Sequence, residues 1–488
     1  MRDIPLNEIS PPERAVPNDA KESHWRDIVI ALLAVGGLFY AWMGDPGIKV
    51  PLAAAIGAVM VVLSFYRPAI PCTLFVIFSF LRIHEAFPVL EPWKLPQLLA
   101  QLALVVVAWH LFLARTMHPF WTRELVLLAV FFGLVTFGIL TSTNWADSYK
   151  QWSDVFVKII IIAFVLAWST RRPGDFALIA RLLIAGGIAV ACVAIYNSYN
   201  GIGLVEGTRV TISRAEGSVL GDPNDLALAL LFPLSFAGAM LIGRVNFFDR
   251  LLGAAGVTAI FLGILATQSR GGLLGLAAVC AVLASRYIKS RAMLIGIGAG
   301  AVFLLFVVAG ISGRSSGGAG QGIDESSQGR LDAWQTAFNM AVHHPLTGVG
   351  LANFAPNYWE YTEEWDGHPH AVHSSWFLML AEAGFPGLFL FLWLVGSTGV
   401  LSWQCLRIVT RTEVDRRLHT AAYALAAGLA GFCVAGTFLT QGFTWPFYII
   451  LALTVALHRL LTEQEAPQAF TLHGAAPLPP PALRGGAS

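Results

Sequence analysis

The sequence predicts an all-α polytopic membrane protein with a large loop on the outer side of the membrane. Hydrophobic residues make up 56% of the 488 residues, and charged residues make up only 12%. Apolar runs long enough to cross a bilayer, or nearly so, recur along the whole chain. Lys and Arg collect in alternate loops between these runs, as expected of a chain that crosses the membrane many times.

The apolar runs define the predicted helices in chain order. They lie near 28–43, 50–66, 68–83, 96–114, 123–142, 154–169, 175–197, 223–243, 251–267, 271–287, 291–311, 386–403, 419–437 and 441–461. We therefore expect about fourteen transmembrane helices, or about twelve if the short ones are re-entrant. The predicted regions are a cytoplasmic tail 1–27, transmembrane helices over 28–311, an outer loop 312–385, C-terminal helices over 386–461 and a disordered cytoplasmic tail 462–488.

The loop charges predict the orientation. With the N-terminus placed in the cytoplasm, one set of loops is strongly basic, whereas the opposite set is richer in Asp and Glu, as in "TSTNWADSYKQWSD" and "YTEEWDG". The basic set contains Arg67, Arg115, Arg123, Arg171, Arg172, Arg244, Arg250, Arg286, Lys289, Arg291, Arg407, Arg411, Arg416 and Arg417. Because positive charge stays inside, both termini are predicted to be cytoplasmic.

Two long loops, 198–222 and 312–385, then face the outer side, where we expect the function to reside. The second loop begins with the glycine-rich stretch "GRSSGGAGQG". In the following "SQGRLDAWQTAFNMAVHHPLTG", Leu331, Trp334, Phe338 and Val342 recur at helical spacing. This pattern predicts an amphipathic helix on the membrane surface.

Histidines gather near the end of this loop, in "HPHAVHSSWFLMLAEAGFPG". Ser374 and Ser375 are good helix caps, so a short helix is predicted to begin beside His373 and to end at Gly384. An imidazole near a helix N-terminus stays neutral and could accept a proton as a general base. The alternative is that these are interfacial loop residues without a chemical role.

Arg214 and Arg270 occupy outer turns directly beside apolar segments, in "SRAEGSVLGDPNDLALALL" and "TQSRGGLLGLA". A guanidinium beside the hydrocarbon region is costly unless it is paired, so each could snorkel or pair with a nearby carboxylate. The alternative is that Arg214, Arg270 and Arg330 converge on a phosphate group, because their planar forks suit phosphate oxygens.

Several other kinds of site are not predicted. His368, His370 and His373 could form a metal-ligand set, but no Cys or regularly spaced carboxylates accompany them. Phosphate-binding P-loops and dinucleotide fingerprints are absent from the sequence, so neither ATP nor NAD is implied. We expect no metal, no cofactor and no nucleic-acid partner.

Four stretches together resemble the O-antigen ligase and polymerase superfamily of bacterial envelope glycosyltransferases. They are "SRAEGSVLGDPNDLA", "TQSRGGLLGLA", "GRLDAWQTAFNMAVHHPLTGVGLANF" and "HAVHSSWFLMLAEAGFPGL", in this order over roughly 210–395. The resemblance implies a fold of the GT-C type in the bacterial inner membrane, with a periplasmic active site. It also implies a metal-independent, inverting transfer of a glycan from an undecaprenyl diphosphate carrier to an acceptor hydroxyl.

The same resemblance assigns site residues. The catalytic histidine of the family falls on His373, and its basic residues fall on Arg214 and Arg270, with Arg330 third. His370, His368 and Glu382 are secondary candidates. Ser374 departs from the asparagine that many members have after the histidine.

The acceptor distinguishes the members of the superfamily. Lipid A core is the acceptor of a ligase, a growing polysaccharide that of a repeat-unit polymerase, and a protein Ser or Thr that of an oligosaccharyltransferase. The ligase is our leading interpretation and the polymerase its alternative, with membrane lipids as the surroundings. The rival from another class is a transporter or flippase for lipid-linked glycans. Such proteins usually carry ionisable residues near the bilayer midplane, whereas the polar cluster here gathers at one surface.

Overall fold

The computed structural model describes residues 57–214, 218–288, 327–365 and 367–472, with a few further residues between 290 and 300. Contacts divide the chain into 1–59 and 60–488, and the features discussed below belong to the second unit. The predicted span 28–43, residues 50–56 of the span 50–66 and most of 291–311 lie outside the described residues. So do the predicted N-terminal tail, the glycine-rich loop entry and the chain after 472.

The described residues are almost entirely helical. The helices are α1 (Gly57–Tyr66), α2 (Ala69–Phe80), α3 (Ile83–Ala86), α4 (Leu95–Ala108), α5 (Arg123–Leu140), α6 (Trp145–Gln151), α7 (Val157–Ser169), α8 (Pro173–Asn200), α9 (Pro223–Ile242), α10 (Phe247–Thr267), α11 (Arg270–Ala284), α12 (Ser327–His343), α13 (Tyr358–Tyr361), α14 (Ser375–Arg411), α15 (Arg416–Ala435) and α16 (Trp445–Leu472). Short π-helical turns extend α4 over Trp109–Leu113 and join α6 to α7 over Trp152–Phe156. A two-residue antiparallel pair, β1 (Leu204–Val205) and β2 (Arg209–Val210), follows α8.

Within this described part, nine helices are long and apolar enough to cross a membrane, and three shorter apolar helices accompany them. Two boundaries differ from the predictions. The span predicted at 154–169 is preceded by α6, so the helical segment starts at Trp145, because Asn144 accepts hydrogen bonds from the backbone N–H groups of Ala146 and Asp147. The last helix continues past 461 to Leu472, where disorder was predicted, and an ion pair between Arg459 and Glu463 spans its added turn.

Helix α9 lies in the interior and packs against α8, α10, α11 and α15. Glycines allow α10 to approach it closely. A Cβ added at Gly253 would lie 2.9 Å from the backbone nitrogen of Leu241, and one added at Gly256 would lie 2.9 Å from Cβ of Ala237. Small residues bring membrane helices into van der Waals contact in this way.

A buried ion pair joins α8 to α10. The guanidinium of Arg181 donates from Nε to Asp249 Oδ1 at 2.7 Å and from Nη2 to Asp249 Oδ2 at 3.0 Å. The Arg181 side chain is only 7% exposed. This Arg therefore ties two helices together, as a bidentate, desolvated pair can.

Helix α14 contains the break that the sequence predicts. Gly384 has φ +67°, a backbone conformation that interrupts the helix. The segment after α12 fits against this break, since Phe385 donates its N–H to the Pro345 carbonyl at 3.0 Å and Val349 donates to Ala381 at 2.8 Å. A Cβ on Gly348 would lie 2.2 Å from the Ala381 carbonyl oxygen, so the close approach requires glycine. The first part of α14 is thereby held as a separate short helix, as predicted.

Candidate functional site

Three segments that are far apart in the sequence come together around the N-terminus of α9. Asp222 caps this helix and accepts hydrogen bonds from the N–H groups of Asn224 at 2.7 Å and Asp225 at 3.3 Å. Pro223 occupies the first helical position, where its missing N–H costs nothing. The stretch "DPND" therefore starts α9 and also places several polar side chains at its N-terminus.

Arg214 approaches this helix start from the preceding loop. Its Nη1 donates to the Gly221 carbonyl at 3.3 Å, one residue before the cap, and the side chain is exposed. A Cβ on Gly221 would lie 2.9 Å from Arg214 Cα, so only glycine allows this approach. The guanidinium, with five donors in all, keeps most of them for another ligand.

Arg270 approaches from the turn between α10 and α11. Ser269 donates its hydroxyl to Asn224 Oδ1 at 2.8 Å and also caps α11 by accepting from Gly272 N at 3.1 Å. Arg270 follows directly and is exposed. Among the described residues it has no hydrogen-bond or ion-pair partner.

His373 approaches from the start of α14. The Asp225 carboxyl lies close enough to interact electrostatically with His373. Gln441 connects the same two segments, because its Nε2 donates to Asp225 Oδ1 at 2.5 Å while its backbone N–H donates to Ser375 Oγ at 3.0 Å. Ser375 in turn donates to the Leu439 carbonyl at 2.7 Å. These bonds hold the segment of His373, the candidate general base, close to α9, the helix whose N-terminus Arg214 and Arg270 also approach.

Left-handed backbone marks all three approaches. His373 itself has φ +41°, Ser213 before Arg214 has φ +50°, and Gln268 two residues before Arg270 has φ +48°. A non-glycine residue in this region costs free energy and persists only where its surroundings hold it. Five other described non-glycine residues also have a positive φ, so this conformation supports the site only together with the hydrogen bonds given above.

Arg330 lies on α12, one helical turn before Trp334. Trp334 Nε1 donates to the Val372 carbonyl at 2.9 Å, directly before His373. Arg330 is half-buried and has no hydrogen-bond or ion-pair partner within the part of the chain described. The α12 helix thus carries Arg330 to the His373 side of the loop.

The secondary candidates lie elsewhere. His368 is exposed in the loop, and His370 packs its ring against Tyr358, with ring centroids 5.7 Å apart. Glu382 is buried and accepts the Phe354 N–H at 3.2 Å, so it holds the segment after α12 rather than approaching His373. In the described residues, no group of three His, Cys, Asp or Glu side chains is arranged to hold a metal ion.

The structure also brings in residues that sequence reasoning missed. Asp225, Asn224 and Gln441 complete the cluster at the start of α9. Arg209 is buried and donates from Nη2 to Asn224 Oδ1 at 2.8 Å, which ties the β2 strand to the same helix. The polar run "DPND" at the head of a long apolar segment was the available signal for two of them.

Glu85 on α3 holds the loop that contains Arg214. It accepts from the hydroxyl of Ser218 through its carboxylate, from the hydroxyl of Ser213 through its backbone carbonyl at 2.7 Å, and pairs with Arg82. Burial lowers the pKa of the neighbouring His84, which therefore stays neutral near pH 7. Arg82 is thus the cation that balances Glu85.

Comparison with known proteins identifies a family over part of the chain. Residues 255–392 match the family model described as O-antigen ligase. The match contains Arg270, Arg330 and His373, whereas Arg214 and Asp225 lie before it. No curated protein matches the chain. The resemblance predicted from the four sequence stretches is confirmed at the level of the family.

Proposed function

We propose that the protein transfers a glycan from a lipid diphosphate carrier to an acceptor hydroxyl, because residues 255–392 match the family model described as O-antigen ligase. The family and the nine apolar helices identify a multi-pass membrane protein with glycosyltransferase activity in the general sense. The proposal adds the undecaprenyl diphosphate donor, the lipid A core acceptor of a ligase, and a site on the periplasmic side of the inner membrane.

The observation that supports this chemistry most is the meeting of three segments at the start of α9. Arg214 bonds to Gly221, Ser269 beside Arg270 bonds to Asn224, and the Asp225 carboxyl interacts electrostatically with His373. Two arginine forks and an imidazole therefore share one helix end. Arginine suits phosphate oxygens, and a neutral imidazole suits a hydroxyl proton.

In the proposed reaction, the acceptor oxygen attacks the anomeric carbon of the carrier-linked sugar. The bond from that carbon to the phosphate oxygen breaks, and its electron pair leaves with the diphosphate. Arg214 and Arg270 stabilise the charge that grows there, with Arg330 as a third cation. His373 takes the hydroxyl proton, and Asp225 orients the imidazole and stabilises its protonated form. Direct displacement inverts the anomeric centre.

The test is glycan transfer by the purified protein reconstituted in vesicles, with carrier-linked donor and with two acceptors offered in parallel. We expect His373→Ala to bind the donor but to transfer at least about a hundredfold more slowly. His368→Ala and His370→Ala are matched controls from the same loop and should keep substantial activity. A chelator should leave the wild type unchanged.

The acceptors distinguish the two members of the superfamily. Transfer to lipid A core supports the ligase, and elongation of a second carrier-linked repeat supports the polymerase. If His373→Ala transfers at the wild-type rate, or if chelation abolishes transfer, the assignment of His373 as general base is wrong. Movement of the intact donor across the vesicle membrane without any transfer would support the transporter instead.

A further inference from the structure

A groove runs between α12 and the first part of α14, and neither Arg214 nor Arg270 lines it. It is open to the surroundings along its length, and its volume is about 550 Å³. The groove is lined by Leu331, Asp332, Trp334, Gln335, Phe338 and Phe377. None of these six residues has a role in the reaction proposed above.

Two aromatic rings form a rigid wall of this groove. Trp334 and Phe377 stack with ring centroids 5.0 Å apart and an angle of 10° between the rings. The hydrogen bond from Trp334 Nε1 to the Val372 carbonyl fixes the orientation of the indole. A ring that is already held in place loses little conformational entropy when a ligand packs on it.

The polar groups of the groove suit hydroxyls and not phosphates. Asp332 contributes a carboxylate, and Gln335 contributes an amide whose Nε2 donates to Asn339 at 3.1 Å. Carboxylate and amide oxygens accept hydrogen bonds from hydroxyl groups. Among the six lining residues there is one acid and no base, so a diphosphate would meet repulsion here.

The position of the groove relates it to the reaction. Val372, which accepts from Trp334, directly precedes His373, and Phe377 lies one helical turn after it. Asp225, on α9, interacts electrostatically with His373 and accepts a hydrogen bond from Gln441. The groove therefore adjoins the segment that contains His373, whereas Arg214 and Arg270 adjoin the start of α9.

We propose that this groove binds a sugar ring of the acceptor, with its apolar face on Trp334 and its hydroxyls bonded to Asp332 and Gln335. A sugar ring has an apolar C–H face and hydroxyl groups around its edge. An aromatic ring can pack against that face, and nearby carboxylate and amide groups can bond to the hydroxyls. This inference rests on the proposed glycan transfer and deepens it: the acceptor is a carbohydrate, as in lipid A core or a growing polysaccharide, and not a protein hydroxyl.

The experiment measures the KM for acceptor and the KM for donor separately in the reconstituted transfer assay. The variants are Trp334→Phe, which keeps an aromatic ring, and the surface changes Asp332→Asn and Gln335→Ala. We expect the acceptor KM to rise about tenfold for Asp332→Asn and Trp334→Phe and about threefold for Gln335→Ala, with the donor KM unchanged within about twofold. Val342→Ser is the matched control, because Val342 is exposed on the same helix seven residues beyond Gln335 and does not line the groove.

The outcomes separate this inference from the proposed function. If the wild type transfers glycan and the acceptor KM of Asp332→Asn and Gln335→Ala is unchanged, the groove is not an acceptor site. If Val342→Ser raises the acceptor KM as much as Asp332→Asn, the whole helix face contacts lipid and the inference is overturned. If the wild type transfers no glycan to any acceptor, the proposed function itself fails. Melting temperatures identify any variant that is unfolded. If Trp334→Phe does not fold, Asp332→Asn and Gln335→Ala still test whether the groove binds the acceptor.

Discussion

His373 is the residue in which sequence chemistry and local geometry agree most closely. Its position before two capping serines predicts a fixed place at a helix start, and Ser374 does accept the Phe377 N–H at 3.5 Å. The left-handed backbone at His373 requires support, which the bonds of Ser375 to the segment 436–441 supply. His370, only three residues away, instead packs against Tyr358. Chemical similarity within the histidine cluster therefore conceals different structural roles.

Asp225 provides the first prediction at this scale. Asp225→Asn should lower kcat about tenfold to a hundredfold with little change in the donor KM, because an amide orients the imidazole but stabilises its protonated form poorly. Asp225→Glu should recover part of the lost rate, which a purely structural role would not predict. Steady-state kinetics of the two variants measures both effects. A wild-type kcat for Asp225→Asn would remove Asp225 from the mechanism.

The arginines provide a second prediction. Arg214→Lys and Arg270→Lys should each lose at least about tenfold in kcat/KM although the charge is kept, because lysine lacks the planar fork that bonds two phosphate oxygens. Arg250→Lys is a matched control, since Arg250 donates to the Gly243 carbonyl at 3.3 Å just as Arg214 donates to Gly221. If both site variants behave like the control, the diphosphate must bind elsewhere.

At the scale of elements, α9 positions the residues of the site because it is mostly buried and its N-terminus is capped by the Asp222 side chain. The loop with Arg214 bonds just before the Asp222 cap of α9, and the turn with Arg270 bonds to its first turn. Gln441 connects the start of α14 to α9, because it bonds to both Ser375 and Asp225. The break at Gly384 adds a second constraint, since it holds the first part of α14 against the segment that follows α12. The candidate residues thus lie on the ends of packed helices, where their positions are well defined.

The buried pair of Arg181 and Asp249 provides the prediction at this scale. Arg181→Met should destabilise the protein by about 3 kcal/mol, because it leaves the Asp249 carboxylate buried without its partner. The double variant Arg181→Met with Asp249→Leu should recover much of this loss. Glu463→Gln removes an exposed ion pair on α16 and should change little, which makes it the control. Thermal unfolding in detergent measures all three, and equal stability of the wild type and Arg181→Met would contradict the prediction.

For the molecule as a whole, the polar site gathers at one end of the helices, and the basic loops are predicted at the other. Arg214, Arg270 and His373 meet at the start of α9, whereas Arg181 and Asp249 join the start of α8 to the start of α10. A one-sided polar site suits an enzyme that acts at a membrane surface. A transporter would instead be expected to carry ionisable residues along a path through the midplane.

The orientation is the prediction at this scale. A reporter fused at Glu363 should read as extracytoplasmic and one fused at Arg411 as cytoplasmic, because the loops on the Arg411 side carry the excess of Lys and Arg. Activity of paired reporters that work on only one side of the membrane provides the measurement. A cytoplasmic signal at Glu363 would overturn the whole site assignment.

Much of the molecule follows from the sequence by itself. Apolar length determined most of the long helices from α2 onward within a few residues, and the capping residue Ser374 determined the start of the short helix after His373. Arg214, Arg270 and His373 were likewise recognisable, because a polar residue beside an apolar span is unusual enough to need a reason. These properties are local, so neighbouring residues carry the information.

Only the tertiary structure decided which of these residues meet. Asp225 and His373 are far apart in the chain, and so are Gln441 and Asp225, whose contact joins elements across the bundle. Glu382 was a site candidate in the sequence, but its carboxylate accepts a hydrogen bond from the backbone of Phe354. The physical reason is that helix packing depends on small residues such as Gly253 and Gly256 and on the break at Gly384. These residues determine which distant side chains come together, and a local sequence pattern does not contain that information.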